Sequence, residues 1–211
     1  RKNVENFNRF YSCWLAPETA QDELQHSSRG CALVTQIGMV HGRFQPLHLE
    51  HLQYILAGVA RCSRLVVGIT NPEPTEFLED VSSPHRHRDE ANPYTFFQRS
   101  EMIRESFLDR GLSMNNVSIV PFHIFHLPKW QCYLPPARHT TQYVRAFSEW
   151  EDKKIESFRR FGFSVEVLDW RAPKGIEATA VRELMRSGKH WQDKVPEGTA
   201  RVIRKVEAGL L

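Results

Sequence analysis

Gly42-Arg43-Phe44-Gln45-Pro46-Leu47-His48-Leu49-Glu50-His51 stands between two runs of opposite character. Before it, Ala32 to Val40 is short, apolar and rich in β-branched residues, and the run breaks at Gly42, as a buried strand does. After it, Leu52, Ile55, Leu56 and Val59 recur at helical spacing, which predicts a helix from about His48 to Arg61. Leu65-Val66-Val67-Gly68-Ile69-Thr70 then supplies a second buried strand. Strand, helix and strand in so short a stretch form a right-handed crossover of a parallel sheet. The ten residues therefore join a strand's carboxyl end to a helix N-terminus.

Outward from this unit, the segment from Asn71 to Asn92 carries proline, charge and histidine and is expected to be a long loop. Thr95 with Gln98 makes a capping box for a helix through about Asp109, and Val117 to Phe122 gives a third strand. Residues 123–140, aromatic and proline-rich, are expected as loop. A charged helix from about Ala146 to Phe161 passes through Gly162 into Ser164–Asp169, whose alternating apolar positions suit a strand near a sheet edge. Two short helices, about Thr179–Arg186 and about Glu197–Ala208, close the chain. The fold class expected is α/β, a Rossmann-like parallel sheet with helices on both faces. Residues 1–34 lack sustained periodicity and are assigned to an N-terminal extension, with one domain over residues 35–211.

The bulk properties set limits on partners. A chain of 211 residues with 41% hydrophobic content suffices for one α/β domain plus decoration. A net charge of +3 and a pI of about 8.7 suit anionic ligands but lack the concentrated basic stripe of a nucleic-acid binder. Cys13, Cys31, Cys62 and Cys132 form no C-x-x-C pair, so neither a zinc site nor a disulfide framework is suggested. No run approaches the roughly 20 apolar residues of a membrane span, and residues 1–30 carry no signal-peptide core. A cytoplasmic protein without nucleic-acid or membrane partners is expected; a homo-oligomer is compatible with the sequence.

The chemistry concentrates in the ten residues. Ligands of open parallel sheets bind at the carboxyl ends of strands, beside helix N-termini whose N–H groups favour anions. Gly42 lets the backbone approach a phosphate, and Arg43 can pair with it. His48 and His51, three residues apart, project from one face of the first helical turn, so two imidazole donors can meet one phosphate. As a zinc pair they would need a third ligand, which does not stand at motif spacing. In Ile176-Glu177-Ala178-Thr179-Ala180-Val181-Arg182, Thr179 is a candidate N-cap whose helix N-terminus can cradle phosphate, with Arg182 one turn on reaching the same anion.

These segments resemble the nucleotidyltransferases of the H-x-G-H superfamily, especially the archaeal-type nicotinamide mononucleotide adenylyltransferases. Gly42 to His51 is similar to their G-R-F-Q-P-x-H-x-G-H signature, Ile176 to Arg182 to I-S-x-T-x-I-R, and Asn92 to Arg99 to N-P-F-T-x-x-E-R. The run Met185 to Pro196, with Gly188, Trp191 and Val195, resembles the family's tail. The resemblance implies transfer of a nucleoside monophosphate from a nucleoside triphosphate to a phosphate-bearing acceptor, with Mg2+ as cofactor and pyrophosphate released. It implies His48, His51, Arg43 and Arg182 as the catalytic set, and Gly42, Arg43, Phe44, His48, Glu50, His51, Ile176, Thr179 and Arg182 at the nucleotide. Such chemistry needs little more than in-line positioning and charge neutralisation, since the attacking phosphate is already anionic.

Other residues carry two readings each. Arg99 is either a phosphate contact or a solvated helix arginine, and Trp130 and Tyr133 either stack on a substrate ring or pin their loop. His85-Arg86-His87-Arg88 is a lid or a plain basic loop. The chain departs from the family at Glu50, where the signature has the glycine that leaves room for the base; the glutamate excludes adenine, bonds another base or turns aside. Glu177 replaces the serine of the phosphate motif. The family's serine-asparagine-proline segment is not evident, and Ala137-Arg138-His139-Thr140-Thr141-Gln142-Tyr143 stands there instead. Three functions follow: adenylylation of a nicotinamide nucleotide as the nearest family version, cytidylyl transfer to a small phosphate or phosphonate, or a nucleotide-binding domain without turnover.

Overall fold

The computed structural model describes residues 35–73, 88–146, 149–170 and 175–211. The extension at 1–34, and His85, Arg86 and His87 of the basic segment, lie outside the described residues. Five strands form one sheet: β1 (Thr35–Gly42), β2 (Cys62–Thr70), β3 (Val117–Phe122), β4 (Thr140–Ala146) and β5 (Ser164–Trp170). All pair in parallel, in the order β3-β2-β1-β4-β5. The helices are α1 (Leu49–Val59), α2 (Phe96–Leu108), α3 (Leu127–Tyr133), α4 (Glu149–Phe161), α5 (Ala178–Arg186) and α6 (Glu197–Glu207).

Successive residues of a strand face opposite sides of its sheet. On β1, Val40 faces α1, where a side chain at Gly58 would come within 2.8 Å of it. Met39, its neighbour, joins Phe122, Trp130, Val144, Ile155 and Phe158 in the core beneath α3 and α4. Helices therefore cover both faces, as expected. α2 packs on α6, where Gly198 lets the two backbones close, because a Cβ there would overlap the main chain of Glu105 and Ser106. The capping box of α2 is formed from both sides: Gln98 N–H donates to Thr95 Oγ1 at 3.2 Å and Thr95 N–H to Gln98 Oε1 at 3.0 Å.

Two elements differ from expectation. Within 123–140 lies the helix α3, whose Pro128 sits in the first turn, where a missing N–H costs nothing. Trp130 on α3 is 2% exposed, donates from Nε1 to His123 O at 3.0 Å and packs among Phe122, Phe158, Phe161 and Phe163. It fills the core. The second difference is β4, which the polar residues Gln142 and Arg145 disguise. It is the strand beside β1, and Thr140 to Tyr143 belong to it. Gln142 is fully buried, with Nε2 on Met39 Sδ at 3.1 Å.

Candidate functional site

The connections from β1 and from β4 leave the sheet in opposite directions, so the carboxyl ends of these neighbours flank a crevice, the position at which open α/β sheets bind ligands. The first motif builds one wall. His48 is the N-cap of α1, and its Nδ1 accepts from His51 N–H at 3.4 Å. That bond fixes the tautomer: with Nδ1 an acceptor, the ring proton sits on Nε2, which becomes a donor. The two imidazoles stack with centroids 3.5 Å apart, and Phe44 meets His51 edge-on at 5.1 Å. Phe44 is wholly buried with a φ of 52°, a conformation unusual outside glycine that the packed loop enforces. A side chain at Gly42 would come within 2.7 Å of the Phe44 ring. Gly42 thus makes room for Phe44 first of all.

Both imidazoles are held neutral. Burial, then the charge of Arg145, lowers His48 to about 4. Burial, then His48, Arg145 and Arg43, holds His51 well below its ordinary value. Near pH 7 they are N–H donors without net charge, ready to gain strength beside an anion.

Gln45, which the sequence reading passed over, joins the motifs. Its Nε2 donates to Tyr94 O at 2.8 Å and its Oε1 accepts from Tyr94 N–H at 3.0 Å, clamping the Asn92–Arg99 segment to the first motif. Its carbonyl accepts from Arg182 Nη1 at 2.5 Å, and Arg182 Nη2 donates to Thr179 Oγ1 at 3.1 Å. Three segments remote in sequence therefore meet at one residue, the second at its side-chain amide and the third at its backbone carbonyl. The signal was available: a glutamine set between Phe44 and Pro46-Leu47 needs partners for both halves of its amide.

Several expected roles change. Thr179 is not the N-cap of α5; Glu177 takes that position without a side-chain cap bond, and Thr179 lies inside the first turn holding Arg182. Arg99 does not face solvent. It is 1% exposed, and its guanidinium donates to the carbonyls of Thr95, Arg43, Thr70 and Asn71, bracing the ends of β1 and β2. Those bonds take four of its five N–H donors.

Glu50 is held within the fold. Its Oε1 accepts from Gly175 N–H at 2.9 Å and Ile176 N–H at 3.0 Å, and its Oε2 lies 3.8 Å from Arg145 Nη1. A Cβ at Gly175 would meet Glu50 Oε1, so a side chain there would displace the carboxylate. The glutamate bridges α1, the backbone before α5 and β4. Arg145, on the strand the sequence concealed, is the other residue missed.

No protein-family model matches the chain. A phosphonoformate cytidylyltransferase of Streptomyces viridochromogenes is 40% identical over 169 residues, covering 80% of this chain and 90% of that protein. A nicotinamide-nucleotide adenylyltransferase of Saccharolobus solfataricus is 26% identical over 171 residues, 81% and 91% of the two chains. In fold, the chain is similar to a bifunctional NMN adenylyltransferase/ADP ribose pyrophosphatase of Francisella tularensis, with a TM-score of 0.62 at 18% identity, covering 82% of this chain and 50% of that one.

Proposed function

The chain belongs to the nucleotidyltransferase family of the phosphonoformate cytidylyltransferase, and from that premise we propose that it transfers a cytidylyl group from CTP to a small phosphonate or phosphate. The observation that carries the choice of base is Glu50. Where the family signature has glycine, this chain places a carboxylate held by the N–H groups of Gly175 and Ile176. A side chain so fixed narrows the space for a purine and leaves that for a single ring. It also takes two backbone donors that a base edge would otherwise use.

In this reading an acceptor oxygen attacks the α-phosphorus of CTP, the Pα–O bond to the β-phosphate breaks, and pyrophosphate leaves with the electron pair. The attacking group is already ionised, so no side chain needs to remove a proton. His48 and His51 donate to the α-phosphate as its charge grows, and Arg43 and Arg182 neutralise the departing pyrophosphate. Ile176 and Thr179 line the start of α5, where the helix dipole favours the same anion. Mg2+ would add charge neutralisation along the triphosphate. Among the described residues there is no group of three or more His, Cys, Asp or Glu that could hold a metal ion. No helix among them is long and apolar enough to cross a membrane. A cytoplasmic setting, where nucleoside triphosphates are supplied, completes the proposal.

The second reading is adenylylation of nicotinamide mononucleotide, favoured by the likeness to the Saccharolobus enzyme. Pyrophosphate release measured with each of the four nucleoside triphosphates, Mg2+, and either small phosphonates and phosphates or nicotinamide mononucleotide separates the two. Release with CTP and a small acceptor is expected. Release with ATP and nicotinamide mononucleotide alone would replace this reading by the second, and no release with any pair would leave a nucleotide-binding domain without turnover.

A further inference from the structure

We propose that Gln45 is a positioning residue for nucleotidyl transfer: its side-chain amide, clamped on the main chain of Tyr94, fixes its own carbonyl, and that carbonyl aims the Arg182 guanidinium. This rests on the reading of Arg182 as an arginine that neutralises the departing pyrophosphate, and it names what holds that arginine in place.

Gln45 lies in the turn between Gly42, the last residue of β1, and His48, the N-cap of α1, so neither a strand ladder nor a helix fixes its peptide groups. Phe44 before it is in the left-handed region, and Pro46 after it brings no N–H. The direction of the Gln45 carbonyl is therefore set by side chains. The residue is buried, and its amide clasps a single partner, with Nε2 donating to Tyr94 O and Oε1 accepting from Tyr94 N–H. An amide offers a donor and an acceptor side by side, and burial makes both bonds costly to lose.

Tyr94 is a firm support for that clasp. It immediately precedes Thr95, the N-cap of α2, and from α2 Arg99 donates to Arg43 O at 2.9 Å and Thr70 O at 2.8 Å, tying the helix to the ends of β1 and β2. Its phenol reaches the other way, with Oη 3.8 Å from Met185 Sδ on α5.

Arg182 has two anchors of different kinds. Nη2 donates to Thr179 Oγ1 at 3.1 Å, but Thr179 belongs to α5 and moves with it. Nη1 donates to Gln45 O, and that bond refers the guanidinium to the first motif, where His48 and His51 follow three and six residues on. A planar group held at both terminal nitrogens has a set orientation, and its other N–H donors can serve an anion. The donors to the α-phosphate and the cation for the pyrophosphate are thus kept at one spacing, the requirement of in-line displacement.

The test follows pyrophosphate from the intact protein with Mg2+ and two substrate pairs, CTP with phosphonoformate and ATP with nicotinamide mononucleotide, and is read on the pair that the parent turns over. Gln45→Met, close in volume but unable to clasp Tyr94, should raise KM for the triphosphate and lower its kcat/KM by about 10- to 100-fold, with KM for the acceptor changed less than about threefold. Loss of fold would lower the amount of active protein, and with it kcat, without moving either KM. Gln45→Glu keeps the acceptor for Tyr94 N–H but sets an oxygen against Tyr94 O; it should lose in the same direction, and it serves if the methionine variant does not fold. In the Arg182→Ala background the same Gln45 substitution should cost less than about threefold more, because its effect passes through the missing arginine. The proposal is overturned if KM for the triphosphate stays at the parent's value in the folded Gln45 variants, if KM for the acceptor rises equally, or if the losses multiply in the double variant. A parent that turns over neither pair, or Arg182→Ala with the parent's kcat/KM, overturns the underlying reading and this inference with it, which marks that failure apart.

Discussion

The segments that lead into α1 and α5 are held in opposite ways. At α1 the cap is local: His48 accepts from His51 N–H three residues on, and Phe44 of the same loop packs on His51. At α5 the N-cap Glu177 makes no side-chain cap bond, and the N–H groups just ahead of it are taken by Glu50, 125 and 126 residues earlier in the chain. A locally closed end keeps its shape through its own sequence and can present fixed donors to a reacting phosphate. An end closed from a distance depends on one carboxylate, which can tune what fits between the two helices without altering either. The first is suited to chemistry and the second to selection.

The sharpest way to break this contrast is at α1. His51→Ala should lower turnover by about 100- to 1,000-fold, the loss that follows removal of one donor to a developing charge, while the circular dichroism signal of the folded protein persists. Turnover equal to the parent would show that the stacked imidazoles are packing alone.

Next comes acid. His48 is held at about 4 in the folded protein against an ordinary 6.5. The unfolded chain therefore binds a proton at a higher pH than the folded one, so stability is full above about 6.5 and is lost as pH falls from there to about 4. A depression of that size corresponds to about 3 kcal/mol at 1.36 kcal/mol for each pH unit. His48→Asn keeps an oxygen able to cap α1 but cannot titrate, so its unfolding free energy should fall less steeply over this window in urea melts. An unchanged slope would mean that His48 does not carry the acid sensitivity. His41 and His51 are also depressed by burial, and they keep a residual slope in the variant.

The smallest effect is expected where the closure is distant. Glu50→Gly restores the family signature and frees Gly175 and Ile176 N–H, and it should shift the preference among nucleoside triphosphates by more than about tenfold for some base, or about 1.4 kcal/mol. A gain confined to purines points to crowding by the carboxylate, and a loss confined to cytosine points to a hydrogen bond with its amine. Coinciding profiles would place base choice elsewhere, in the loops after β2 and β3.

Where the expectations failed, the cause was partnership across the fold. Arg99 and Trp130 have side chains as fit for ligands as for struts, and only the carbonyls of Arg43, Thr70 and Asn71, or the ring of Phe158, reveal which each became. Thr179 looks like a cap by composition, yet the helix starts one residue before it and its hydroxyl serves Arg182. β4 escaped notice because an interior strand of a sheet is buried on both faces and its polar residues hide it. Its Gln142 is tolerated by contact with Met39 of β1, which no local pattern records.

The sequence by itself determined the crossover at Gly42 to His51, the capped helix at Thr95, the edge position of β5 and the family. These depend on interactions within a few residues or on patterns of period two and 3.6. Only the tertiary structure decided that Gln45 ties three motifs together, that Arg145 reaches the crevice, and that Glu50 closes the approach to α5. Each is a polar side chain with several potential partners, and in a folded chain its energy is set by which donor or acceptor the packing brings within about 3 Å. That choice is made by β1 and β4 lying side by side, a fact of topology that spacing along the chain does not contain.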